Sequence, residues 1–176
     1  MKPTEPASMI RLSLDNCDTP PDRGFELGYV TVQCGNNVYS SRARGLVMIY
    51  LAATDLLDGA RLLLTHPDSS YVFIGAGSDW SFAVRRTRHR GLQVTTPAGA
   101  MLGVVPQRDY LVAVWDGVQQ LITERPPAHG AAWSDLSAAM DAYPTLDKPR
   151  LKVQEARSPG RRRARPRRPG DQRSEP

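Results

Sequence analysis

The sequence predicts an α+β protein: antiparallel β-meanders of about seven strands, one long central helix, two C-terminal helices and a disordered C-terminal tail. Three observations carry this. Short segments bounded by Pro, Gly, Asn and Asp alternate apolar and polar residues with period two. The period becomes helical once in the middle of the chain and twice near its end. After Pro149 no apolar periodicity survives. The expected organisation is a flexible lead over residues 1–8, a single folded domain over 9–145 and a tail over 146–176.

The elements follow in order. "MIRLSLDN" sets Ile10, Leu12 and Leu14 against Arg11, Ser13 and Asp15, a half-buried strand. "TPPDRG" is turn chemistry. "FELGYVTVQC" is β-branched and aromatic, with Val30, Val32 and Cys34 on one face. "GNN" turns the chain into a short third strand, "VYSSR". From Gly45 to Thr65, Leu46, Ile49, Ala53, Leu57, Ala60 and Leu64 recur at helical spacing. Its start is ambiguous, because "LVMIYL" alone also reads as a buried strand. Pro67 ends that helix. "YVFIG", "WSFAVRR", "LQVTT" and "AMLGVV" then make a four-stranded meander with hairpin-length turns. Pro106 suits a first helical position, opening a helix with Leu111, Val114, Trp115, Val118 and Leu121 on its apolar side. A last helix carries Trp133, Leu136, Met140 and Tyr143 before Pro144 stops it.

Charge separates body from tail. Leu151–Pro176 holds nine of the 23 Lys/Arg and only three of the 18 Asp/Glu. The rest of the chain, fourteen basic against fifteen acidic side chains, is nearly neutral. Twenty of the basic residues are arginine, with only Lys2, Lys148 and Lys152 as lysines. That bias, with abundant Ala, Gly and Pro, is what GC-rich codons produce. The tail has no aromatic residue to stack on bases and cannot offset its ordering entropy. It reads as auxiliary to the domain, with weak, sequence-blind binding to nucleic acid as its one available chemistry. No secretory leader pattern and no long apolar run is present, so a cytoplasmic protein without membrane contact is expected. Cys17 and Cys34 fall at opposite ends of the first hairpin. They are expected to be reduced thiols, with Cys34 in the core.

The motif search narrows the chemistry. His66, His89 and His129 lie at a helix end, in a turn and in a linker, with no partner at metal-ligand spacing. "IGAGSDW" lacks the third glycine and the following helix of a dinucleotide site, so no cofactor is expected. The prolines in "DNCDTPPD" break the wrap a calcium loop needs, so no metal is expected. Two basic groups remain as binding candidates. "SSRARG" offers Ser40, Ser41, Arg42 and Arg44 as an anion site at the start of the long helix. "RRTRHRG" offers Arg85, Arg86, Arg88, His89 and Arg90 on one hairpin tip to an acidic partner or a phosphate backbone. The best carboxylates for an enzyme are Asp55 and Asp58 with Arg61, or Asp79 with Ser78. Asp58 and Arg61 read more simply as a surface pair on one helical turn.

The order β-β-β-α-β-β-β-β-α-α, with "GLVMIYLAATDLLDGARLLL" and "YVFIGAGSDWSFAVRR", resembles small uncharacterised α+β proteins of GC-rich bacteria. In layout it is similar to immunity proteins that neutralise polymorphic toxins. The likeness covers residues 9–125 and carries no functional residue across. It implies a protein partner. The expected function is a non-catalytic protein-binding module, an immunity or accessory protein. The alternatives are a nucleic-acid-associated protein acting through the tail and the Arg85–Arg90 tip, and an enzyme of unrecognised type.

Overall fold

The alternation at the start of the chain builds a sheet. In a computed structural model, which describes residues 9–17, 26–66, 68–88, 91–127 and 131–144, β1 (Ile10–Asn16) pairs antiparallel with β2 (Leu27–Cys34) along its whole length. The opposite edge of β2 is shared. β3 (Asn37–Ser40) takes the half from Thr31 to Cys34, and β4 (Val47–Met48) takes Leu27 and Gly28. Ile10, Leu12, Leu14, Val30, Val32 and Cys34 are buried on one face, as period two requires. Both thiols are free; burial pushes that of Cys34 up to about 11.

The long helix, α1 (Ile49–Thr65), starts four residues later than its periodicity suggests. Val47 and Met48 satisfy both periods, and pairing to β2 decides between them. The Met48 amide bonds Ala76 O at 2.9 Å, and the Ile49 amide bonds Glu26 O at 2.9 Å. Carbonyls from outside the strands, those of Glu26 and Ala76, thus serve the helix start, where Met48 offers no side-chain cap. The buried face of α1 is also wider than one stripe. Ala52, Leu56, Gly59 and Leu63 are buried as well as Ile49, Ala53, Leu57 and Ala60, because α1 packs against both sheets and both later helices.

The second sheet has the order β5 (Ser70–Ile74), β6 (Ser81–Arg86), β7 (Gly91–Thr95) and β8 (Met101–Pro106), all antiparallel. The described residues thus form eight strands, one more than periodicity marks, because β4 is only two residues long. Leu102 and Val105 are both buried although three apart. A register shift beside Val94 and Thr95 explains this, since one extra residue in β8 changes its phase. Pro106 is still the last residue of β8, so α2 (Gln107–Glu124) opens one residue after it. The last helix is α3 (Ala131–Ala142).

Aromatic rings join the sheets. Tyr39 stacks on Trp80 with centroids 5.1 Å apart, and Phe73 and Phe82 close on the same indole at 5.7 and 5.6 Å. Asn37 Nδ2 also bonds Leu102 O at 2.7 Å, tying β3 to β8. Tyrosine hydroxyls tie the helices. Tyr50 bonds Arg125 O at 2.7 Å, and Tyr143 bonds Leu111 O at 2.9 Å. Trp115 is only partly buried, stacked on Tyr143 at 5.4 Å. The chain divides between Leu146 and Asp147, and every described residue precedes that division. The arginine-rich tail and the N-terminal lead lie outside the described residues.

Candidate functional site

The basic groups picked out by sequence do not converge. Ser40 to Arg44 stand well before α1, because β4 intervenes. They instead end β3 and form a short 3-10 helix, Ser41–Ala43. Ser40 Oγ shares a hydrogen bond with Thr31 Oγ1 at 2.8 Å and accepts from the Arg42 amide at 3.3 Å. Ser41 is fully buried, its Oγ accepting from the Val30 amide at 3.1 Å. Arg42 meets Asp15 at 3.0 Å and lies over the Tyr29 ring. Arg44 meets Asp79 at 3.6 Å. The four groups expected to face one anion serve separate contacts.

The second basic group is split by strand alternation. Arg85 points outward, and its Nε donates to Gln93 Oε1 across the ladder at 3.0 Å. Arg86 shares the inward phase of Phe82 and Val84. Its guanidinium donates to Leu63 O, a carbonyl in the last turn of α1, which the helix itself leaves unbonded. Arg88 is exposed; His89, Arg90 and also His129 lie outside the described residues. Ser78 Oγ accepts from the Trp80 amide at 3.2 Å and so shapes the turn beside Asp79.

A different set of residues does converge. On α1, Asp55, Asp58 and Leu62 recur three or four residues apart and so share one stripe, with His66 at the C-cap beyond it. With Tyr71 of β5 and Arg61 they line a groove of about 530 Å³, within the size range of small-ligand sites. Tyr71 is built into it. A Cβ on Gly59 would lie 2.2 Å from the ring, so glycine is what lets the ring lie against the helix. The Tyr71 hydroxyl then reaches Asp55 O at 2.9 Å and Asp55 Oδ2 at 2.8 Å.

Burial raises the proton affinity of Asp55 above the ordinary carboxylate value. The Tyr71 hydroxyl opposes this, the Asp58 charge adds to it, and the Ile74 backbone amide opposes it again. Burial likewise raises the Tyr71 phenol, so it remains a donor. Asp58 pairs with Arg61 at 3.1 Å. Among the described residues Asp55 has neutral donors only: a half-buried carboxylate without a cation.

The groove lies beside a strand edge. Gly75 N–H bonds Trp80 O at 2.8 Å, in line with the β5–β6 register. By antiparallel alternation Tyr71 and Phe73 then exchange bonds with β6, while Ser70, Val72 and Ile74 direct theirs away from the sheet. The Ile74 amide, directed the same way, opposes the rise in the proton affinity of Asp55. Ser70 and Val72 face an edge that no described strand pairs with. The side chains of Val72 and Ile74 stand 55% and 62% exposed on the outer face, in the same layer as Met101 and Val104 at 57% and 41%. Asp55, Asp58 and Arg61 were marked by sequence; Tyr71 was read only as a strand residue. The available signal was Gly59, a glycine inside a helical pattern that needed a packing reason.

The fold and the groove thus define a two-sheet α+β domain in which no described strand pairs with the outer edge of β5. No protein-family model, curated protein or solved structure matches the chain.

Proposed function

We propose that this is a non-catalytic protein-binding module that receives its partner along the β5 edge and the outer face of the second sheet. The observation that carries the reading is Val72 and Ile74 exposed beside the Ser70 and Val72 backbone, which no described strand pairs with. An apolar, open edge strand is a template for another chain, and proteins that do not use such an edge blunt it with charge or cover it. Within that class, the layout favours an immunity or accessory protein of the cytoplasm, where two free thiols are at home. The test is capture from the host lysate by the wild type and by a Val72→Glu/Ile74→Glu variant. The expected result is one defined partner retained by the wild type and lost by the variant, with coincident melting curves. Equal capture by both, or no capture by either, overturns the reading. Capture abolished by nuclease favours instead phosphate binding through the outward Arg85 and Arg88.

A second reading is an enzyme acting through Asp55, favoured by its raised proton affinity inside a groove of ligand size. Its sign would be a turnover, found by substrate screening, that Asp55→Asn abolishes without loss of fold.

A further inference from the structure

We infer that the occupant of the β5 edge is an extended basic segment of a partner protein, added as a fifth strand with a lysine or arginine set against Asp55 and Asp58. The inference rests on the protein-binding reading above and assigns the chemistry of the partner. Three observations lead to it.

The first is the backbone. Ser70 and Val72 turn their amides and carbonyls to the edge that no described strand pairs with. A chain lying there finds main-chain donors and acceptors at both residues. The second is direction. In an antiparallel sheet, residues opposite one another point to the same face. The partner residue opposite Tyr71 therefore points toward α1, where the groove lies. Its neighbours, opposite Ser70 and Val72, point to the outer face and meet the apolar layer of Val72 and Ile74.

The third is charge. The groups around this edge are Asp55, Asp58 and Arg61 on α1, His66 at its C-cap, Asp68 just before β5, and Arg85 outward on β6. Arg86 is turned to Leu63 O. Arg61 answers Asp58 at 3.1 Å, and no described cation answers Asp55. A long cationic side chain fits, its stem along Leu62 and its head at Asp55. A second copy of this chain fits poorly. β5 reads Ser-Tyr-Val-Phe-Ile, brings no cation, and arrives with the same carboxylates beside it.

The test uses three blocked synthetic peptides and the full chain. Each peptide alternates threonine and valine around one central residue: arginine, glutamate, or arginine with alternate backbone amides methylated. NMR hydrogen exchange at the Ser70 and Val72 amides reports strand addition. The arginine peptide is expected to slow exchange at both and to bind at least about tenfold more tightly than the other two. In Asp55→Asn, which keeps an acceptor for Tyr71, the preference for arginine over glutamate should fall while exchange protection remains. Equal binding of arginine and glutamate peptides overturns the inference, as does undiminished binding of the methylated one. So does failure of the arginine peptide to bind. If that failure occurs while Val72→Glu/Ile74→Glu still loses the lysate partner, the protein-binding reading stands and the basic strand falls. If the variant keeps its partner, the reading itself falls.

Discussion

Two of the outer strands, β1 and β5, face the same problem and meet it differently. Each has a helix beside its open edge, and each of those helices carries a glycine where the approach is closest. At β1 the ladder to β2 turns the Leu12 carbonyl outward, as the Met9–Gly35 and Cys17–Leu27 bonds show. There α2 brings Gly117 onto it; a Cβ would stand 2.7 Å from Leu12 O. Helix backbone meets strand backbone, and the edge is covered. At β5 the helix glycine admits a ring instead. Tyr71 lies between Gly59 and its own strand, holds α1 off the edge, and leaves a groove. The outward side chains follow suit. β1 presents Arg11, Ser13 and Asp15, whereas β5 presents Ser70, Val72 and Ile74. One edge is sealed and charged; the other is open and apolar.

The largest expected effect comes from breaking the seal on β1. Gly117→Val places a branched side chain against a carbonyl that cannot rotate away. Replacing glycine inside a helix gains up to about 1 kcal/mol of propensity, but overpacking against backbone costs about 1–3 kcal/mol or more. The clash wins, and denaturant unfolding should show a net loss of about 2–3 kcal/mol. Gly59→Ala should cost less, about 1–2 kcal/mol, because a ring can give where a carbonyl cannot. The two sites are separable by a double-mutant cycle. Tyr71→Ala should remove most of the cost of Gly59→Ala and none of the cost of Gly117→Val. Equal coupling to both would mean that Tyr71 is not what spaces α1 from β5.

Much of this contrast was out of reach of sequence, for physical reasons. Period two found the long strands of both sheets, since each has one face buried and one wet. It could not find β4, because Val47 and Met48 fit strand and helix alike and only pairing to Leu27 and Gly28 decides. It could not find the extra residue in β8, which shows only as a gap of three between Leu102 and Val105. Strand parity did hold the fate of Arg86, which shares the inward phase of Phe82 and Val84. Arg85 and Arg86, neighbours in sequence, therefore face opposite ways in space. Asp55 and Asp58 were visible as candidates on one helix. Their partner Tyr71 comes from a strand whose alignment depends on tertiary packing, and only Gly59 hinted at it.

A smaller effect is expected from the hydroxyl that joins the groove together. Tyr71→Phe removes one hydrogen bond to a half-buried carboxylate and should cost about 1 kcal/mol. It should also raise the proton affinity of Asp55 further, since the hydroxyl lowers it. The pH dependence has a definite sign. The folded pKa of Asp55 lies above its ordinary 3.8, so over the interval between the two values the folded state binds more protons than the unfolded. Stability from this group therefore falls as pH rises through that interval. Asp55→Asn should remove that fall, so the variant gains on the wild type as pH rises from 3.8 toward neutrality. Denaturant titrations of the pair at matched pH read the difference directly. A gap that shrinks with rising pH would mean that the carboxylate is held charged, with a cation beside it.

The smallest effect on stability should come from the residues that matter most for binding. Val72 and Ile74 are 55% and 62% exposed and point away from the core, which the β5 strand reaches through Tyr71 and Phe73. Changing both to glutamate removes little buried surface. Surface substitutions of this kind stay within about 0.5 kcal/mol each, and β-propensity adds a cost of similar size. The melting temperature of Val72→Glu/Ile74→Glu should thus stay close to that of the wild type. The matching change on β1, Ser13→Glu, should be as mild, because that residue also faces outward, half-exposed. The two edges should part company only in association. Two carboxylates on β5 set like charge beside Asp55 and Asp58 and disfavour any chain laid along Ser70 and Val72, so partner binding should be lost. Charge added at Ser13 sits on a strand whose edge α2 already covers, so binding there should be untouched. Loss of the partner from both variants would mean that it spans the first sheet as well, and that the seal on β1 does not decide where partners dock.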